Sequence, residues 1–168
     1  GMHSADDITD VLNVISGSLG GLDVPFADCA INLVDDTGDQ AMVTIYALQA
    51  GSSTQDTPVR GLLMESSLIC QLWHRGRVEY RPDLNTDDPF AERQYIPADL
   101  RAVVDIPFSH GTLAFNSPQP NAFTEQHIRL MQEVAEMLSE GFQRVQDLLQ
   151  IAEEQERLIV TVRSIGSG

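Results

Sequence analysis

The chain has 168 residues, 42% of them apolar, and sets 25 acidic residues against ten basic ones, a net charge of −15. That length suits one domain plus an appendage, with a substantial core, and the acidic balance argues against nucleic acid and anionic membrane surfaces as partners. All ten basic residues are arginine, which excludes a Walker-type phosphate loop, Schiff-base chemistry and a lysine nucleophile.

Gly1 before Met2 resembles the residue left when an expression tag is removed, so residues 1–3 are read as a tag remnant. Ser4 begins a capping box with Asp7, and Ile8, Val11, Leu12, Ile15 and Leu19 follow at helical spacing until Gly17, Gly20, Gly21 and Pro25 end the helix. Cys29–Asp35 has β-like apolar content, and Asp36-Thr37-Gly38-Asp39 is a hairpin turn before a second strand, Ala41–Leu48. Gln49–Arg60 carries loop chemistry. Ser66 or Ser67 caps a short helix with Leu68, Ile69, Leu72 and Trp73 that stops at Gly76, and Val78–Tyr80 reads as a short strand. Arg81–Pro97 holds three prolines and the acidic residues Asp83, Asp87 and Asp88, and a loop of this length suggests a lid or binding wall. Arg101–Phe108 and Thr112–Asn116 are strands joined by a tight turn at Ser109-His110-Gly111. The expected class is α+β, an antiparallel sheet with N- and C-terminal helices packed on one face and a long C-terminal signalling helix.

The final helix has Thr124 as N-cap and Phe123 as a staple onto Ile128. About 40 helical residues span about 60 Å, whereas the preceding 120 residues have a radius of gyration of only about 13–14 Å, so its second half projects. Met131, Ala135, Leu138, Phe142, Val145, Leu149, Ala152 and, beyond Glu156, Ile159 follow a coiled-coil seam, while Leu148, Ile151, Gln155, Leu158 and Val162 offer a competing register. The expectation is that Thr124–Val145 closes the core, and that Gln146–Ser164 packs on a second copy, making a homodimer, or on a neighbouring domain. Cys29 and Cys70 are too few for a disulfide framework, lack metal-ligand spacing and lie in apolar contexts, as free thiols in a reducing cytoplasm would. No apolar run approaches the roughly 18 residues of a membrane span, so no membrane contact by this domain is expected.

Arg-Ala-Val-Val-Asp-Ile-Pro-Phe from Arg101, the turn at Gly111, Thr-Leu-Ala-Phe-Asn-Ser from Thr112, then Pro118, Pro120 and Asn-Ala-Phe-Thr-Glu-Gln-His-Ile from Asn121 together resemble the C-terminal half of a GAF domain. Leu19–Asp35 is similar to the first helix and strand of that family, so the resemblance covers about residues 5–150. Glu156–Gly166 is similar to the lead-in helix of PAS domains in bacterial sensor kinases. These resemblances imply a GAF domain at 4–145 and, at 146–168, a helical coiled-coil linker leading toward a PAS domain. The implied function is a non-catalytic sensory and dimerisation module of a bacterial signalling protein, of sensor histidine kinase or diguanylate cyclase type. The alternative is a receptor for an unidentified small molecule held between the sheet and the 81–97 loop.

The family's ligands can be compared with the residues present. Its cyclic-nucleotide signature contains a lysine, which this chain lacks, and its bilin attachment uses Cys followed by His, where Cys70 is followed by Gln71. Haem needs a histidine facing an apolar pocket, whereas His110 lies in a turn and His127 near a helix start, with His74 on the short helix. Cys29 and Cys70 do not reproduce the cysteine set of its sulfoxide-reducing subclass. The adjacent carboxylates Asp87-Asp88 and Glu153-Glu154 do not face one reacting atom, and Ser66, His74 and Asp105 lack a nucleophile elbow. No cofactor, metal or catalytic residue is therefore expected. The pocket candidates are Trp73 and Tyr80 as aromatic walls and Arg101 and Asp105 as polar contacts; the competing reading makes Trp73 core and pairs Arg101 with an acid of the 83–88 stretch.

Overall fold

The computed structural model describes residues 5–49, 59–61 and 64–166. The reading of residues 1–3, the capping box of Ser4 with Asp7, most of the 49–60 loop and the side chains of Ser66 and Ser67 lie outside what it describes.

Helix α1, Ala5–Gly21, buries Ile8, Leu12, Ile15 and Leu19, the four-and-three spacing that puts apolar side chains on one face. Strands β1, Asp28–Asp35, and β2, Met42–Gln49, pair antiparallel from Asp28↔Gln49 to Asp35↔Met42. The turn between them is organised by the Asp35 carboxylate, which accepts from the Thr37 amide at 3.1 Å and the Thr37 hydroxyl at 2.6 Å. Val59 and Arg60, expected to be loop, belong instead to a short strand β3, Val59–Gly61, which pairs with Val43–Ile45 at the sheet edge. Helix α2, Met64–Arg75, ends at Gly76, whose φ of 67° is the left-handed position that terminates helices.

Strand β4 is Glu79–Arg81, one residue later than the apolar pattern of 78–80 suggests. The shift draws Arg81 into the ladder opposite Val103. The segment 82–100 contains only a single turn of 3-10 helix, at Glu92–Gln94. Strands β5, Ala102–Phe108, and β6, Gly111–Ser117, form a hairpin. Helix α3, Glu125–Gly166, runs 42 residues without a break. Its cap is reciprocal: the His127 amide donates to the Thr124 hydroxyl at 3.2 Å, and the Thr124 amide donates to His127 Nδ1 at 3.1 Å. Histidine thus takes the place that Glu or Gln holds in a capping box.

The sheet has six strands in the order β3-β2-β1-β6-β5-β4, and every described pairing is antiparallel. Because side chains alternate across a sheet, Ile31, Val104, Ile106, Leu113 and Phe115 point to the face covered by α1 and α3, where they form the main core with Met131, Ala135, Leu138 and Phe142. Helix α2 and the 82–100 segment cover the opposite face. This is the expected α+β arrangement.

Among the described glycines, Gly111 has the backbone of a neighbouring strand closest to it. A Cβ at this position would lie 1.8 Å from the Asn32 carbonyl oxygen in the facing strand, a contact that only main-chain displacement can relieve. Gly111→Ala should therefore lower stability by about 2–4 kcal/mol, read as a fall in the urea midpoint at unchanged slope.

Candidate ligand cavity under the 82–100 segment

The middle of the sheet face turned toward α2 carries small and polar residues, with Ile45 and Val103 beside them. Ala47, Ala30 and Ala114 are direct neighbours across β2, β1 and β6, and Asp105 on β5 continues the same row. Three methyl groups in a row leave room above them. A cavity of about 280 Å³ lies there, walled by Leu68, Ile69 and Leu72 of α2 and covered by Tyr95, Ile96, Pro97 and Leu100. Its volume equals the share of about nine water molecules in the liquid. Its polar lining comprises Asp28, Asn32, Glu92, Asp105 and Asn116, with Tyr95 beside them, and no Arg or His lines it among the described residues.

The cover is fastened to the floor by Arg81, which is 2% exposed. Its Nε and Nη2 donate to the two oxygens of Glu92 at 2.5 and 3.0 Å, Nη2 also donates to Asp105 at 2.6 Å, and Nη1 donates to the Glu79 carbonyl at 2.5 Å. Only a planar guanidinium forks in this way. Burial, the largest influence, pushes the Glu92 carboxyl above the usual carboxylate range against the pull of Arg81. Phe90 lies between two guanidinium groups, 5.3 Å from Arg75 and 5.5 Å from Arg81.

Local geometry presents Glu92 to Arg81. Both carboxylate oxygens of Asp88 accept backbone amides, of Glu92 and Arg93, each at 2.9 Å, and Ala91 takes a left-handed φ of 52°. Arg93 then donates to Asn85, Pro97 and Leu100, and Arg101 binds Asp83 through two bonds of 3.0 and 2.6 Å. The long segment is thereby a fixed wall held by arginines.

Of the four pocket candidates, Asp105 faces the cavity and the other three face elsewhere. Tyr80 is on the other side of β4, its hydroxyl accepting from the Phe123 amide at 3.0 Å and its ring 5.9 Å from that of Phe123. Trp73 is half-buried at the end of α2 and donates to the Phe108 carbonyl at 2.9 Å. Arg101 is engaged by Asp83, the partner the competing reading gave it. Arg81 and Glu92 were not singled out from sequence. None of His74, His110 and His127 lines the cavity, and among the described residues no three His, Cys, Asp or Glu side chains gather as a metal site requires. No described helix is long and apolar enough to cross a membrane.

A six-stranded antiparallel sheet with terminal helices on one face and a short helix with a long covering segment on the other is the GAF fold. Solved structures bear this out. The GAF domain of a two-component sensor histidine kinase from Bacillus halodurans superposes with a TM-score of 0.64 at 21% identity, covering 85% of this chain and 96% of that one. The blue-light absorbing form of the Thermosynechococcus elongatus PixJ GAF domain gives 0.62 at 15% identity, over 90% and 96%. The type II free methionine-R-sulfoxide reductase from Thermoplasma acidophilum gives 0.54 at 8% identity, over 77% and 90%. No family model matches the sequence, and no curated protein is significantly similar to it.

Arg81→Met should cost about 3–5 kcal/mol, because it strands two buried carboxylates, and Arg81→Lys should recover only part of that loss; urea unfolding measures both. A second expectation concerns pH. Hydrogen bonds from Arg101 hold the Asp83 carboxyl down at about 2, below its unfolded value of 3.8. The stability this pair contributes is present above the unfolded value and is lost as pH falls toward the folded one. Asp83→Asn should therefore flatten the fall in stability between about pH 4 and pH 2, followed by urea unfolding across that range.

Proposed function

We propose that this chain is a non-catalytic sensory and dimerisation module of a bacterial signalling protein, of sensor histidine kinase or diguanylate cyclase type, and that it passes a change of state along α3. The observation that carries this reading is the division of α3 into a packed and an unpacked length. Its buried side chains end at Phe142; Val145 is half-buried, and Leu149, Ala152 and Ile159 are exposed. Leu148, Ile151, Leu158, Val160 and Val162 are each at least 50% exposed, far more apolar surface than a solvated helix normally presents.

A second copy supplies the same stripe, and pairing about a two-fold axis buries both at once. The apolar surface continues onto the domain through a groove between α1 and α3, where Val14 is 67% and Met137 61% exposed. The sensor-kinase and PixJ origins of similar folds favour the signalling role. The likeness of Glu156–Gly166 to a PAS lead-in favours a PAS domain beyond this helix in the parent protein.

The β5–β6 hairpin offers a route from the cavity to α3. Asp105 and Ala114 belong to the cavity floor, and at the hairpin tip the Ser109 amide donates to Ser139 at 2.9 Å while the His110 ring stacks 4.8 Å from Phe142. The tip therefore grips α3 where its packed length ends.

A second reading, a small-molecule receptor, is favoured by the cavity itself, whose alanine floor keeps it open. Thiol chemistry is not favoured. Burial, assisted by Asp28, pushes the Cys29 thiol up to about 12, and burial also raises that of Cys70, the reverse of an activated nucleophile.

Sedimentation equilibrium should give a dimer at high micromolar concentration. Ile151→Asp combined with Leu158→Asp should shift it to monomer with little change in the urea midpoint of the domain. A wild-type chain that stays monomeric at several hundred micromolar removes the paired-helix reading.

A further inference from the structure

The two apolar registers of α3 divide the helix between two uses. The first begins with Met131, Ala135, Leu138 and Phe142, all buried in the domain's own core. On that side the β5–β6 hairpin tip is bonded through the Ser109 amide to Ser139, stacked through His110 on Phe142, and hydrogen-bonded through His110 to Gln146. A second helix laid along Leu149, Ala152 and Ile159 would meet that tip and could not continue onto the domain.

The second register lies one residue back, about 100° around the helix, and stays accessible from the domain to the helix end. Half-buried Val134 and exposed Met137 line the groove with Val11 and Val14 of α1. Spacing of four and three carries the stripe over Gly141 and Arg144 to Leu148 and Ile151, then over Gln155 to Leu158, Val162 and Ile165. Seven large side chains along it are at least half exposed, Val14 and Met137 on the domain and five beyond. They present on the order of 400 Å² of apolar surface on each copy. Two copies, with the polar third usual in such interfaces, reach about 1,200 Å², the lower bound for a stable dimer.

The charges beside the stripe select the direction of pairing. With Val134 and Met137 as the a and d positions of a heptad, the g positions hold Glu133, Glu140, Asp147 and Glu154, and the e positions hold Leu138, Val145, Ala152 and Ile159. Antiparallel helices set g against g, acid against acid, whereas parallel helices set g against e. A parallel pair in register also matches its layers. Gln155 meets its own copy, the apolar layers meet theirs, and Arg144 meets its own with Glu140 and Asp147 one turn away to supply the opposite charge.

We propose that a second copy of the chain packs parallel and in register on the stripe from Val134 to Ile165, with Val11 and Val14 of α1 closing the seam where it crosses the domain. This rests on the paired-helix reading and adds the face, the direction and the part played by α1. Leu149, Ala152 and Ile159 flank the seam.

Cysteine cross-linking reads face and direction together. In a Cys70→Ser background, where the remaining thiol, Cys29, is buried, the variants Leu148→Cys, Val162→Cys, Leu149→Cys and Ile159→Cys are oxidised one at a time under conditions where the chain is dimeric. Non-reducing electrophoresis should show Leu148→Cys and Val162→Cys linking at least ten times faster than the other two. If they link no faster than Leu149→Cys or Ile159→Cys, the face is overturned. If only one of the two links, the parallel direction is overturned. In both cases the paired-helix reading stands. Val14→Asp should raise the dimer dissociation constant at least tenfold in sedimentation, with the helical circular dichroism unchanged, and an unaltered constant overturns the part given to α1. A wild-type chain that is monomeric at several hundred micromolar overturns this proposal and the paired-helix reading together.

Discussion

The contact on which the cavity side of this protein depends is the buried fork of Arg81. A single guanidinium joins a sheet edge, the neighbouring strand and the covering segment, through Glu79, Asp105 and Glu92 in turn. Its attraction to two carboxylates offsets a desolvation penalty that would otherwise be several kcal/mol for each ion, and it does so only while all three partners are in place. The long 82–100 segment buries Leu84 and Leu100 but has almost no regular hydrogen-bonding pattern of its own. Arg81, Arg93 and Arg101 supply the order that backbone ladders supply elsewhere. The absence of lysine from the chain acquires a structural meaning here, since a lysine ammonium could not make the two-pronged contacts that hold this segment.

The two faces of the sheet obey different rules. Toward α1 and α3 it presents large apolar side chains that interlock with Met131, Leu138 and Phe142. Toward α2 it presents alanines, asparagines and Asp105 together with Ile45 and Val103. The alternation of side chains along each strand lets one ladder serve both purposes, and the β5–β6 hairpin joins them mechanically. Val104 and Ile106 anchor the hairpin in the core, Asp105 between them reaches the cavity, and the turn beyond touches α3.

The sheet and terminal helices were legible because their signals are local and periodic. Ile8, Leu12, Ile15 and Leu19 mark a helical face, Thr124 a cap, and the apolar runs of β1, β5 and β6 their strands. β3 was not legible, because three residues at an edge have no period to read. The site was only partly legible. Asp105 stands out as a carboxylate within an apolar strand, but Tyr80 and Trp73 are aromatic for reasons of packing and local hydrogen bonding. Arg81 could have been suspected from parity, since a strand that turns Tyr80 toward the core turns the next residue away from it. Glu92 carried no such sign; its burial arises from a loop path set by Asp88, Ala91 and Arg81, and that path exists only in the folded chain.

The continuity of α3 has a mechanical consequence. A helix held as far as Gln146, which hydrogen-bonds the His110 side chain, and exposed beyond it behaves as a lever arm with its fulcrum at the hairpin tip. The exposed length, residues 147–166, extends about 30 Å, so a tilt of about 5° at the fulcrum displaces its far end by about 3 Å. Small adjustments beside Ser139 and Phe142, of the size that side-chain repacking ordinarily produces, are thus enlarged along the arm into movements comparable to half a helical turn.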